Sequence, residues 1–229
     1  MASGFGKLRL FDDFLGDTYD SNLWSVPVAG SGVAPAINVQ TNGVVRNTVT
    51  NNASSDLSSL VGEVIYKASA GGPLVFEARC AIATSLSQCV FIGLTGTKPS
   101  TTDIVTDMPI ETNGGTLVTP HADALGFTYT GGSGGAAVWQ ASGTKANVDT
   151  ALHSAAARFN PVLATFQTFR IVVFADGSAS FYIDGEPIKE NLASAVTAST
   201  LLCPVTCITD DGAAGSLDTD YVYVSCGRS

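Results

Sequence analysis

Two short apolar runs separated by Asp176-Gly177-Ser178 form the clearest pattern of hydrophobic and polar positions in the chain. Residues 169–175 and 179–183 are rich in β-branched and aromatic side chains, and a glycine between such runs accepts the positive φ of a tight turn. The pattern predicts a β-hairpin. Apart from Arg170, both alternating sets within residues 169–175 are apolar, which predicts a strand that lies centrally in a sheet or packs on both faces.

Similar but shorter runs recur through the rest of the chain. A second Asp-Gly pair, Asp184-Gly185, ends the strand after the hairpin turn, and Pro187 is expected to limit further pairing because proline has no N–H to donate. Turn residues return about every 8 to 15 positions, a spacing typical of a sandwich or jelly roll. Further strands are predicted at residues 36–40, 43–49, 61–67, 74–83, 89–95, 125–129, 136–140, 200–208 and 217–225. The predicted fold class is all-β, a two-sheet antiparallel β-sandwich.

A few segments do not follow the strand pattern. Residues 51–59 are predicted to form a loop, and the irregular stretch 96–120 is predicted to form one or two long loops. The Ala-rich residues 149–158 are predicted to form a short helix or helical turn, and residues 192–200 are ambiguous.

The sequence contains no linker that would separate two hydrophobic cores, which predicts one domain. Residues 1–9, with small residues and glycines, are predicted to form an N-terminal arm, and residues 10–229 a single jelly-roll domain. The glycine-rich residues 131–135 are interpreted as a turn, because the hydrophobic runs beside them are too short to be separate domains.

Charge and composition exclude several classes of function. Only 14% of the residues are charged, against roughly 25% in an average globular domain. The net charge is −9 and the 11 lysines and arginines do not cluster along the sequence, which argues against a nucleic-acid partner and against an anionic membrane surface. The N-terminus lacks the pattern of a signal peptide, so the chain is expected to be made in a cytoplasm and to stay there until it is released.

The five cysteines are predicted to be reduced and buried. An odd count with irregular spacing is a poor disulfide framework. Cys203 and Cys207 form a C-x3-C pattern without a second pair at zinc-site spacing, which favours buried thiols over a metal site.

Three segments together resemble the concanavalin A-like lectin and glucanase superfamily, which includes laminin G-like domains and the family 16 glucanases. They read FDDFLGDTYDSNLW at residues 11–24, FYIDGEPI at residues 181–188 and DTDYVYV at residues 218–224. The resemblance implies a jelly roll of two antiparallel sheets in which the first and last strands pair. The C-terminal third also resembles laminin G-like proteins encoded beside capsid genes in tailed bacteriophages.

The resemblance to glucanases raises the question of catalytic acids. A retaining glucanase of that family is expected to carry an E-x-D-x-x-E-like set on one strand, which places acid and nucleophile about 5 Å apart. No glutamate has an acidic partner two residues on, and neither His121 nor His153 stands in a catalytic motif. We therefore predict no catalytic residues and no enzyme activity.

Acidic residues near the first and last strands are the candidates for a metal site. If those strands pair, their carboxylates share one edge and offer hard oxygen ligands for Ca²⁺. The alternative is that these aspartates serve turn geometry and solubility. The wider set is Asp12, Asp13, Asp17, Asp20, Asp210, Asp211, Asp218 and Asp220, of which the calcium ligands would be Asp12, Asp13, Asp218 and Asp220.

Aromatic side chains beside the glycine-rich turn are the candidates for carbohydrate binding. Trp139 and Tyr129 flank that turn, where their rings could stack on a sugar or lie in the core. Trp24, directly after a turn, is predicted to plug one end of the core.

Three functional hypotheses follow. The first is a non-enzymatic structural virion protein that decorates or cements a phage capsid or forms a head fibre, with the major capsid protein as partner and a homo-oligomeric state. The second is a carbohydrate-binding module of a phage tail or bacterial surface protein, with a glycan as ligand. The third is a glycoside hydrolase that lacks the usual acidic motif.

Overall fold

The computed structural model describes most of the chain. The described residues are 6–38, 43–50, 56–69, 71–97, 108–113, 116–132, 136–210 and 212–227. Their strands are, in chain order, β1 (Lys7–Asp12), β2 (Trp24–Ser25), β3 (Val28–Ala29), β4 (Val33–Asn38), β5 (Val44–Val49), β6 (Leu57–Gly62), β7 (Leu74–Ile82), β8 (Gln88–Thr95), β9 (Glu111–Asn113), β10 (Thr116–Val118), β11 (Ala124–Thr130), β12 (Gln140–Lys145), β13 (Val148–Asp149), β14 (His153–Ser154), β15 (Gln167–Val173), β16 (Ala179–Ile183), β17 (Glu186–Leu192), β18 (Cys203–Asp210) and β19 (Gly215–Gly227).

The strands form two large antiparallel sheets and one small hairpin. The eight-stranded sheet has the order β17-β16-β15-β7-β19-β5-β4, and β1 also pairs with β19. The nine-stranded sheet has the order β13-β12-β11-β8-β18-β6-β2, with β14 beside β12 and β3 beside β6. Strands β9 and β10 form a separate hairpin. The predicted all-β, two-sheet sandwich is confirmed.

The main core lies between the two sheets. Successive side chains of a strand point to opposite faces, so every second residue of each central strand enters this core. Phe127 of the nine-stranded sheet contacts Phe169 and Phe181 of the eight-stranded sheet, with ring centroids 5.2 and 5.6 Å apart. All three rings are fully buried, which fixes the two sheets against each other.

The predicted central hairpin is confirmed. Strand β15 pairs with β16 on one side and with β7 on the other. At the turn, Gly177 has a φ of +82°, and Asp176 accepts a 2.9 Å hydrogen bond from the backbone N–H of Ser178. Pro187 lies in β17 rather than ending the pairing, because β17 is an edge strand whose outer side needs no donor.

The first and last strands pair, as the resemblance implies. Leu10 lies opposite Val224 and Phe11 opposite Tyr223. Lys7 to Arg9, which the sequence assigned to an arm, already belong to β1, because β19 extends far enough to pair with them. Residues 1–5 of the predicted arm lie outside the described residues.

Two local predictions are corrected. Residues 149–158 contain no α-helix: β13 and β14 pair with β12, and only a 3₁₀ turn, Ala157–Phe159, follows. Hydrogen bonds to β12 keep this segment extended; the Thr150 N–H, for example, donates to the Gly143 carbonyl at 2.8 Å. Part of the predicted loop at 96–120 is the β9–β10 hairpin.

Several predicted strand bounds shift by a few residues. Strand β6 begins at Leu57, inside the predicted loop 51–59, and β12 starts at Gln140, where the sequence placed a strand end. Within the described part of the chain, no helix has the length and apolarity to cross a membrane.

All five cysteines are buried and none forms a disulfide, as predicted. Burial raises the pKa of the Cys80 thiol to about 12, with a smaller opposing effect of its hydrogen bond to Thr219. These thiols pack as small hydrophobic groups.

Candidate functional site

The outer face of the nine-stranded sheet is covered by a second hydrophobic cluster. On β8, Val90 and Ile92 enter the main core, whereas the alternate residues Cys89 and Phe91 belong to the second cluster. We call this surface the closed face; its buried members include Cys89, Phe91, Ala124, Cys203, Val205 and Cys207. Met108 and Ile110 are fully buried in the same cluster, and Leu117 of β10 packs against it.

Phe91 is the central ring of the closed face. A Cβ atom at Gly126 would lie 2.6 Å from this ring and one at Gly93 would lie 3.0 Å from it. The two glycines face each other across β8 and β11, so the absence of side chains there makes room for the ring. Burial also raises the pKa of the neighbouring Cys207 thiol. The closed face is therefore built as core.

The outer face of the eight-stranded sheet has a different character. One row of directly opposed residues crosses five strands and reads Phe11, Tyr223, Glu77, Arg170 and Tyr182. Phe11 is 62% exposed, Arg170 is exposed, and the other three are half-buried. We call this surface the open face; its members are Arg9, Phe11, Arg46, Glu77, Arg79, Arg170, Tyr182, Tyr221 and Tyr223.

Polar contacts hold the aromatic rings of the open face in place. The Tyr221 hydroxyl donates a 2.8 Å hydrogen bond to Glu77 Oε1, and the Phe11 ring lies 6.0 Å from the Tyr221 ring. Burial, followed by the hydrogen bond and the charge of Glu77, raises the pKa of Tyr221 to about 12. The phenol therefore stays neutral at physiological pH and keeps its hydrogen bond.

Two arginines of the open face are paired with aspartates of β19. Arg46 Nε and Nη2 donate to the two carboxylate oxygens of Asp218 at 2.6 and 2.7 Å, a bidentate arrangement. This hydrogen bond raises the pKa of Arg46. Arg79 forms an ion pair with Asp220 and also lies over the Phe166 ring, 4.5 Å from its centroid.

In the structure, three of the four aspartates of the predicted calcium site have partners within the protein. Asp218 and Asp220 are engaged by Arg46 and Arg79 as above. Asp12 accepts hydrogen bonds from the Trp24 indole N–H at 2.7 Å and from the Phe14 backbone N–H at 3.0 Å. Strand pairing therefore brings arginines to the oxygens of Asp218 and Asp220, while Asp12 accepts from an indole and a backbone N–H. Across the described ranges, which include Asp13, no three metal-ligating side chains come together.

The alternative interpretation of the acidic residues, that they shape turns, is confirmed for Asp20 and Asp210, in addition to the contact of Asp12 with the Phe14 backbone N–H. Asp20 accepts from the Asn22 backbone N–H at 2.8 Å. Asp210 accepts from the backbone N–H groups of Gly212 and Ala213 at 2.7 and 2.8 Å. These are Asx-type turn contacts. Asp211 lies outside the described residues.

The two aromatic candidates for carbohydrate binding are core residues. Trp139 and Tyr129 are each only 2% exposed, and their rings pack 5.4 Å apart. The Trp139 indole donates to Gln167 Oε1 at 2.9 Å, and the Tyr129 hydroxyl donates to the Leu86 carbonyl at 3.0 Å. With no ring face exposed, neither stacks on a sugar in this structure. Trp24 is buried in the main core, as predicted.

The surroundings of the two histidines, His121 and His153, are as follows. His121 is buried, with Nδ1 2.6 Å from the Thr95 hydroxyl. Burial, then the charge of Lys189, lowers the pKa of His153.

The open face is the functional candidate that sequence reasoning missed. Its members are far apart along the chain, and only the strand register brings them together; Glu77 and Tyr221 are 144 residues apart. The one local signal was alternation at Leu8–Phe11 and Tyr221–Val224, where every second residue is apolar and inward.

Comparisons with known proteins bear on the fold. No family model matches the chain, and no curated protein matches its sequence. Solved structures do match. A β-glucanase of Bacillus licheniformis shares 12% identity at a TM-score of 0.63, over 94% of this chain and 97% of the glucanase. An endo-1,3-β-glucanase of Streptomyces sioyaensis shares 15% sequence identity at a TM-score of 0.64, over 99% of both chains. A Shewanella oneidensis protein of unknown function shares 14% sequence identity at a TM-score of 0.57, over 96% of this chain and 86% of that protein.

These similarities show the fold alone. The chain has the jelly-roll architecture of concanavalin A-like glucanases, as the resemblance implied. At such low identity, none of the neighbours' activities transfers to this chain.

Proposed function

We propose that this chain is a non-enzymatic binding module that contacts a partner protein through the open face. The observation that carries the proposal is composition: four of the six arginines and three of the six tyrosines of the chain lie on this one surface. Tyrosine and arginine are the residue types enriched in protein interfaces and in their energetic hot spots.

The size of the surface fits this role. Seven strands side by side, spaced about 4.8 Å apart, make a face roughly 30 Å wide. The nine residues of β7, at about 3.4 Å each, make it roughly 30 Å long. The resulting area of about 900 Å² matches the roughly 800 Å² that each partner buries in a standard interface.

The lack of enzyme activity is part of the proposal. On β19, the neighbouring carboxylates of Asp218 and Asp220 are each bound by an arginine. On β17, Glu186 pairs with Arg158, and both side chains are more than half exposed. Neither place offers two unpaired carboxylates on one strand face, the arrangement expected for the acid and the nucleophile of a retaining glycosidase. A hydrolase with relocated acids remains the least supported hypothesis.

Photo-cross-linking tests the proposal. A photoreactive benzoylphenylalanine replaces Phe11 in one variant and Val148 in another, because Val148 is 68% exposed but belongs to the nine-stranded sheet. In extract of the source cells, position 11 should give one dominant protein adduct that position 148 does not give. Equal adducts from both positions, or none from position 11, would contradict the proposal.

The partner of the first functional hypothesis is the major capsid protein, on the surface of a phage head. That setting rests on the resemblance to proteins encoded beside capsid genes, and the mass of the adduct tests it. An adduct of twice the chain mass would instead identify a second copy of the chain as the partner, which is the predicted homo-oligomer.

Carbohydrate binding by the same surface is the second candidate. The exposed Phe11 ring and the neighbouring Tyr223 ring favour it, since aromatic faces can stack on sugars. A glycan array separates the two: binding that disappears in Tyr223→Ala, together with no protein adduct at position 11, would replace the protein partner by a glycan.

A further inference from the structure

A small hollow lies within the open face. Its volume is about 260 Å³, and it is lined by Arg170, Val172, Tyr182 and Gly185. Arg170 and Tyr182 are direct neighbours across β15 and β16, so a guanidinium and a phenol flank the same space.

The turn at the rim of the hollow leaves it open. Asp184 and Gly185 have φ angles of +52° and +83°, the left-handed pair of a tight hairpin turn. A Cβ at Gly185 would have no heavy atom within 4 Å. The hollow is therefore reachable from outside the sheet.

Arg170, like Arg9, has no carboxylate of its own within the described part of the chain, whereas three other arginines do. Arg46, Arg79 and Arg158 are paired with Asp218, Asp220 and Glu186. Within the described part of the chain, Arg170 forms no such ion pair. Glu77 lies opposite Arg170 in the register, but its Oε1 accepts the hydrogen bond of Tyr221.

The charge balance of the surface points to the ligand. The four arginines and Glu77 of the open face, counted with the aspartates that pair with two of those arginines (Asp218 and Asp220), sum to a charge of +1, in a chain whose net charge is −9. A planar guanidinium binds a carboxylate through two parallel hydrogen bonds, and a phenol can donate a third. A hollow of 260 Å³ also has room for a side chain that ends in a carboxylate.

We propose that the Arg170–Tyr182 hollow binds an acidic side chain, aspartate or glutamate, of the protein that docks on the open face. This inference rests on the proposed function and assigns one anchor within it. The acidic side chain is the bidentate partner of Arg170, while Val172 contacts its aliphatic part.

The test uses the whole chain and a capped Gly-Gly-Glu-Gly-Gly peptide as the probe. Titration is followed by NMR through the Nε–Hε signals of the arginines. The Arg170 signal should shift most, and the glutamine version of the peptide should bind at least tenfold more weakly. Inorganic phosphate is titrated separately, and tighter binding of phosphate than of the peptide would mean a site for small anions and overturn the proposal.

Three variants sharpen the result. Arg170→Gln should weaken the peptide at least tenfold. Arg170→Lys keeps the charge but loses the two-pronged geometry, so it should also weaken binding severalfold. Lys145→Gln removes a charge from the nine-stranded sheet and should leave binding unchanged. If the wild type and Arg170→Lys bound the peptide with equal affinity, the binding would be due to unspecific electrostatic attraction, and the proposed carboxylate site would be wrong.

Failure of this inference is distinguishable from failure of the proposed function. If Arg170→Gln still forms the position-11 adduct and still binds the peptide as well as wild type, the contact surface stands and the carboxylate site does not. If position 11 forms no adduct at all, the proposed function itself fails.

Discussion

The two outer faces of this sandwich begin from the same geometry and end with opposite roles. In both sheets every second residue points away from the main core. On the closed face those residues are Phe91, Val205 and Cys207, and they are buried beneath a second hydrophobic cluster. On the open face they are arginines and tyrosines that remain at least partly exposed.

The contrast between the two faces indicates where binding is expected. A sheet face that is apolar must be covered by the chain itself, as Met108 and Ile110 do here. A face that mixes aromatic rings with arginines stays in contact with water, yet keeps its side chains ordered through contacts such as Tyr221–Glu77. We therefore expect a partner on the second kind of face, in line with the proposed function.

The largest expected effect comes from truncating one phenylalanine on each face. Phe91→Ala should lower the free energy of unfolding by about 3–5 kcal/mol, because it opens a cavity over Gly93 and Gly126. Phe11→Ala removes a side chain that is 62% exposed and should change it by less than about 1 kcal/mol. Urea unfolding measures both values, and similar losses in the two variants would contradict the assignment of closed and open faces.

Alkaline pH should affect the closed face strongly. The pKa of Cys207 is raised by burial, so above about pH 8.5 the unfolded chain loses a proton that the folded chain keeps. Stability should therefore fall as pH rises, by about 1.4 kcal/mol per pH unit for one such thiol. Cys80 adds to the effect up to its pKa of about 12.

The control for this prediction lies on the open face. Tyr221 also has a raised pKa, of about 12, but its unfolded value is near 10, so its contribution is lost only above pH 10. Between pH 7 and pH 10, the free energy of unfolding should depend less on pH in Cys207→Ala than in the wild type. In Tyr221→Phe its pH dependence should equal that of the wild type. If the stability of the wild type did not depend on pH over that range, the prediction that buried thiols with raised pKa values destabilise the fold at alkaline pH would be wrong.

A smaller effect is expected from the arginine pairs. Arg46→Ala leaves the buried Asp218 carboxylate without its bidentate partner and should cost about 1–3 kcal/mol. Arg158→Ala breaks a pair in which both side chains are more than half exposed and should cost at most about 1 kcal/mol. If thermal unfolding ranked the two variants in reverse order, the ion pair of the open face would not be structural.

Calcium is expected to have no effect. Asp12, Asp218 and Asp220 already accept hydrogen bonds from Trp24, Arg46 and Arg79. The melting temperature should therefore be the same in millimolar calcium and in chelator. A rise with calcium would restore the metal site that the sequence suggested.

The sequence was informative wherever the structure is decided locally. The Asp176–Ser178 turn was predictable because glycine and aspartate chemistry sets a tight hairpin on its own. The fold class followed from the recurrence of such runs. Local propensity failed at residues 149–158, where alanines suggested a helix but pairing with β12 held the backbone extended.

The candidate site was not predictable, for a different physical reason. Alternation cannot say whether Trp139 lies inside or outside, because flanking glycines and short runs give two equally good phases. The open face depends on the register of β1, β19, β7, β15 and β16, whose residues are far apart in sequence. Without that register, Arg170 and Tyr223 are merely scattered surface residues.

The most direct test of the central claim is the affinity of the cross-linked partner for matched variants. Phe11 and Tyr223 are both replaced by serine in one variant, and Val148 alone in the control. We expect both variants to stay folded with at most a small loss of stability, and binding to be about a hundredfold weaker in the double variant, as expected when two aromatic anchors of an interface are removed. Unaltered affinity of the double variant, or an equal loss in Val148→Ser, would show that the open face is not the contact surface.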